Sequence, residues 1–131
     1  MLTSIETQLA TDIETTSVAS CAFGFPGNMG RYPAASCAWR SGRLQIVSGA
    51  GHVRDLALTL QVQIEATDAA TAQTAAEEVS ALWYDVARFA TLSALGVVSI
   101  LPAELQPPLG LAATAQVARA LVEFDVVVRF A

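Results

Sequence analysis

The most regular pattern of apolar and polar positions runs from Arg54 to Glu65. Leu56, Leu58, Leu60, Val62 and Ile64 alternate with Ala57, Thr59, Gln61, Gln63 and Glu65. Side chains of a strand point alternately to its two faces, so this alternation predicts one buried and one polar face, as in an antiparallel sheet. A second alternating run closes the chain over Leu121 to Phe130. There Phe124, Val126, Val128 and Phe130 share one face, and Glu123, Asp125 and Arg129 the other. Between the two runs the period changes. Ala72, Ala75, Ala76, Val79, Leu82, Trp83, Val86 and Phe89 recur every three or four positions, which predicts one long helix over residues 69–91. Thr67-Asp68 supplies its N-cap, and Gln73, Glu77, Glu78, Asp85 and Arg88 form its outer face.

The remaining elements are shorter. Ile5, Leu9 and Ile13 recur at intervals of four behind Thr3 and Glu6, which have capping-box spacing, and predict a short N-terminal helix. Val18 to Phe23 reads as a strand leading into the turn-prone run Gly24, Pro26, Gly27, Gly30. Pro33 opens a strand over Ala34 to Arg40, since strand starts tolerate a missing N–H. Ser41-Gly42 reads as a tight turn into a second strand, Arg43 to Ser48. Gly49-Ala50-Gly51 is another joint. Gly96 to Leu101 and Leu109 to Ala118 read as further strands, separated by the breaker Gln106-Pro107-Pro108. Residues 1–131 thus form a single domain of class α+β, a mainly antiparallel sheet packed by one long helix with the short N-terminal helix beside it.

Composition narrows the function. A chain of 131 residues with 53% hydrophobic and 15% charged positions builds a core without metal or disulfide staples. The net charge of −5 argues against gripping a phosphate backbone. All seven basic residues are Arg. Cys21 and Cys37 read as small buried hydrophobes or as a cross-strand pair, and two thiols alone cannot close a zinc site. The N-terminus lacks the basic and apolar regions of a signal peptide, and the uncharged stretch between Arg88 and Glu104 is too short and broken to span a membrane.

Candidate chemistry is sparse. His52 is the one histidine and has no partner ligands nearby in sequence, so neither metal nor cofactor is expected. Gly49-x-Gly51 lacks the third glycine of a dinucleotide fingerprint, with Arg54 standing in that place and a strand following. Glu77, Glu78 and Asp85 could serve acid–base work, but a solvated helix face explains them more simply. Trp39, Trp83 and Tyr84 lack the basic groove that base stacking requires. No constellation reaches a catalytic hypothesis, so the function is expected to lie in contacts. Phe25, Met29, Tyr32 and Trp39 place large apolar groups in or near the Gly-rich segments, and His52 and Arg54 stand at the second joint. These six are the candidate interface residues.

The order of these parts resembles the small tail-terminator (tail-completion) proteins of tailed bacteriophages. The likeness lies in the opening helix Leu2 to Glu14 and the Tyr32-Pro33-Ala34-Ala35 strand entry. It continues through the Gly-rich joint before Arg54-Asp55-Leu56, the helix introduced by Thr67-Asp68-Ala69 and the closing strand Glu123 to Phe130. The resemblance implies a non-enzymatic ring of copies, commonly six, that caps the tail tube protein and meets the head–tail connector. It places the protein in the virion at the tail–head junction, assembled in the host cytoplasm, with no membrane involved. Genomic DNA would pass through the ring without specific binding, and a like-charged lumen suits that passage. Two alternatives stand beside it: a neck, head-completion or minor capsid component, and a small oligomeric enzyme using His52, Arg54 and Asp55 in a cleft at subunit boundaries.

Overall fold

The computed structural model describes residues 2–24, 31–46, 54–108 and 117–130. Along the chain come helix α1 (Leu2–Ile13), strands β1 (Ser20–Phe23), β2 (Ala34–Ile46) and β3 (Arg54–Ala66), helices α2 (Ala69–Ala81) and α3 (Val86–Ala94), then strands β4 (Val97–Gln106) and β5 (Ala118–Phe130). The strands form one five-stranded sheet in the order β1-β2-β3-β5-β4. Three of its pairings are antiparallel, and only β1 runs parallel to its neighbour β2. The class is α+β, as the alternating runs predict.

The core lies between one face of this sheet and the helices. Leu58, Leu60, Val62 and Ile64 of β3 are buried there beside Val122, Phe124, Val126 and Val128 of β5. Above them sit Ile5, Leu9 and Ile13 of α1, Ala72, Ala75, Ala76 and Val79 of α2, and Leu92 of α3. Small Ala side chains let α2 approach the sheet closely, and the Trp83 ring meets Phe124 edge-on at 5.1 Å.

Several expectations need correction. The expected long helix is two helices. After Ala81 the chain tightens into a single 3₁₀ turn, Leu82–Tyr84, and Asp85 is extended (φ −69°, ψ 121°). Its carboxylate then accepts from the Ala87 N–H and caps α3. The turn drives Leu82 and Trp83 into the core but leaves Val86, placed by its spacing in the apolar stripe, 81% exposed. Ser41-Gly42 is likewise no turn. Strand β2 runs straight through it with an irregularity between Trp39 and Ser41, because β3 offers partners along the whole length. Thr3 is already helical, so it is not the cap of α1. Strand β4 extends to Gln106, beyond the expected end at Leu101. The strand expected over Leu109 to Ala118 falls mostly outside the described residues.

Candidate functional site

Of the six candidate interface residues, Phe25, Met29 and His52 lie outside the described residues. Tyr32 is 48% exposed just before β2, after which a cis peptide joins it to Pro33. Trp39 is half-buried on the core side of β2. Its ring leans on Phe23 at 5.7 Å, and its buried Nε1 has no hydrogen-bond partner among the described residues. Arg54 is exposed at the start of β3. The hairpin register sets Ala34 opposite Glu65 and Ile46 opposite Arg54. Tyr32 and Arg54 therefore stand at opposite ends of a strand roughly 40 Å long. The structure does not gather them at one place.

The polar cleft required by the enzyme alternative also divides. Arg54 and Asp55 are consecutive in a strand and point to opposite faces. Asp55 is committed to Arg129 through two bonds, donated by Nε at 2.8 Å and Nη2 at 3.1 Å. The guanidinium holds the Asp55 carboxyl below its usual range. Two acids assigned to the solvated helix face also have structural tasks. Asp85 caps α3, and Glu78 accepts the Ser17 N–H at 2.8 Å, tying α2 to the link between α1 and β1. Cys21 and Cys37 are free thiols with sulfurs 3.6 Å apart. Their hydrogen bond, together with burial, pushes the Cys37 thiol well above its ordinary value.

No described helix covers the second face of the sheet. It carries a lattice of polar and charged groups in which Arg40 meets Glu123 at 2.8 Å and Arg119 meets Glu65 at 3.3 Å. A shallow hollow of about 410 Å³ opens there between Gln61, Gln63, Gln106 and Arg119. Among the described residues, no three His, Cys, Asp or Glu side chains gather as a metal site requires. No described helix is long and apolar enough to cross a membrane.

The conspicuous apolar surface lies at the sheet edges. Along β4, Val98 and Leu101 are 42% and 58% exposed, Leu101 on the polar face with its register partner Asp125, and on the helix side stand Tyr84 (71%) and Val86 (81%). Together with Phe89 and Ile100 they line a groove of about 290 Å³. The groove exists because the 3₁₀ turn and Asp85 swing Val86 out of the helix stripe and set it beside exposed Tyr84. At the opposite edge β1 pairs only with Ala34–Cys37, so from Ala38 onward β2 has no neighbour on its outer side among the described residues. There Leu44 is 55% exposed. The sequence reading missed these edge residues. One signal was present: Pro102 inside a strand demotes that strand to an edge.

The chain matches no protein-family model and no curated protein sequence.

Proposed function

We propose that this chain is a non-enzymatic assembly subunit that works as a ring of copies, in the manner of the tail-terminator proteins its order of parts resembles. The observation that carries this reading is the exposure of large apolar side chains at both sheet edges, Tyr84, Val86 and Leu101 at one and Leu44 at the other. Large apolar groups presented together on a small domain favour contact with another protein. The two edges differ in sequence, so a contact between them is heterologous, the type that closes rings. Among the described residues, the packing on the helix side of the sheet leaves the edges and the polar face as the surface free for contact. In the ring, the tail tube protein and the head–tail connector are the partners, and the virion's tail–head junction is the location.

The test uses the proposed partner. The protein is mixed with its tail tube protein during tube growth, and the products are imaged. Rings seated on tube ends, with growth stopped, support the reading. Tubes with bare ends and an unchanged length distribution overturn it in favour of a neck or head-completion component.

A further inference from the structure

We propose that copies of this chain join head to tail by sheet extension, the outer edge of β4 in one copy pairing with the Ala38–Ile46 stretch of β2 in the next. The proposal rests on the ring reading for closure, while the pairing itself follows from the two edges.

Three features of the edges fit one another. The first is strand direction. Through β3 and β5, β4 runs antiparallel to β2. Copies related by rotation about an axis along the strands therefore bring β4 beside the neighbour's β2 antiparallel, continuing the sheet. Each edge strand offers unpaired backbone groups as a template for such addition.

The second feature is the apolar match on the helix side. Leu44 shares the core-facing side of the sheet with Leu56, its register partner, and Ile100 shares it with Val126. In the register that sets Leu44 of one copy opposite Ile100 of the next, Leu44 lands on the groove formed with Tyr84, Val86 and Phe89. Two exposed apolar surfaces cover each other.

The third feature is charge on the polar side. Strand β2 carries Arg40 and Arg43 with no acid, whereas β4 carries Glu104 with no base. In the same register Arg40 falls opposite Glu104. Glu104 directly faces Glu123 of its own chain, an unfavourable cross-strand pair. Arg40 of the same chain serves Glu123, whereas Glu104 forms no ion pair among the described residues. A neighbour's Arg40, which uses only its Nη1 on its own Glu123, bridges to Glu104 through its other guanidinium nitrogens. Pairing β4 with a second β4 would instead set Glu104 against another acidic edge.

The experiment blocks one edge at a time. Leu44→Lys places a charge in the β2 edge and Leu101→Lys in the β4 edge, both at exposed positions, so circular dichroism and melting temperature should match the parent. Sedimentation velocity from about 1 μM to about 1 mM spans the range for a modest contact. The parent should self-associate, and each variant should do so at least about tenfold more weakly. Mixed together, the two variants should form a one-to-one dimer that grows no further, because each retains the edge the other lacks. A parent that stays monomeric throughout, a variant that associates like the parent, or a mixture without dimer overturns the proposal. Association by Leu44→Lys alone would assign the contact to β4 against β4. Failure of tube capping with the mixed dimer intact would count against the tail-terminator reading alone.

Discussion

Asp12 shows how much one buried acid organises in this chain. It sits 5% exposed on α1 and accepts from the Trp83 Nε1 at 2.9 Å and the Gln8 amide at 2.9 Å, with Arg88 at 3.9 Å. A buried carboxylate is tolerated when its oxygens are satisfied in this way. The bond also orients the Trp83 ring toward Phe124, so one polar contact sets an apolar one. Leu60 and Gln61 are adjacent but face opposite sides of the sheet. Leu60→Ala should cost about 2–5 kcal/mol through lost burial and a residual cavity. Gln61→Ala, on the uncovered face, should change stability by about 0.5 kcal/mol or less. Urea denaturation measures both, and a reversed order would mean that the register is wrong. Asp55 predicts a pH dependence. Its pairing with Arg129 depresses the folded-state pKa, so the unfolded chain binds this proton more readily. The resulting stabilisation is present above the ordinary carboxylate range and lost as pH falls through the depressed value. Asp55→Asn should therefore lower the melting temperature near neutral pH and narrow its gap to the parent in acid, as followed by thermal melts across pH.

At the scale of elements, the junction between α2 and α3 creates the exposed groove. Gly96, at φ 107°, ends the α3 segment in a conformation that suits glycine. Asp85 begins that segment. Replacing Asp85 with Ala removes the acceptor for the Ala87 N–H and should cost about 1 kcal/mol. The variant should also loosen Tyr84 and Val86, read as faster amide exchange over 84–88 than over α2. If exchange is unchanged, packing rather than the cap holds the junction. Strand β2 teaches the same lesson for the sheet. Ser41-Gly42 has the local character of a turn, yet β3 is long enough to pair beyond it, and ladder bonds outweigh a local preference. Gly42 contributes space as well, because a Cβ there would meet Leu58 at 3.1 Å.

For the whole molecule, one connected core joins α1, α2, α3 and the central strands. Unfolding should then be a single cooperative transition. Tryptophan fluorescence, reporting on buried Trp83 and half-buried Trp39, should fall together with far-ultraviolet circular dichroism in urea. Separate midpoints would mean that the β1–β2 edge opens independently of the helix-covered centre. The same edge is where the proposed neighbour would dock, so assembly should raise the stability of its least covered part.

Period and alternation alone determined the α+β class, the core faces of β3 and β5 and the buried face of α2. These features are legible because each element meets the core through one face, and burial imposes a period of two or of about 3.6 on the residues that face it. Two things were decided only in three dimensions. Val86 continues the helical period but lies outside the core, because the 3₁₀ turn after Ala81 and the extended Asp85 break the helix and shift its phase. The surface at the edges was hidden for a related reason. Whether Leu44 and Leu101 are covered depends on which strands become outermost, and strand order follows from long-range pairing that no local pattern records.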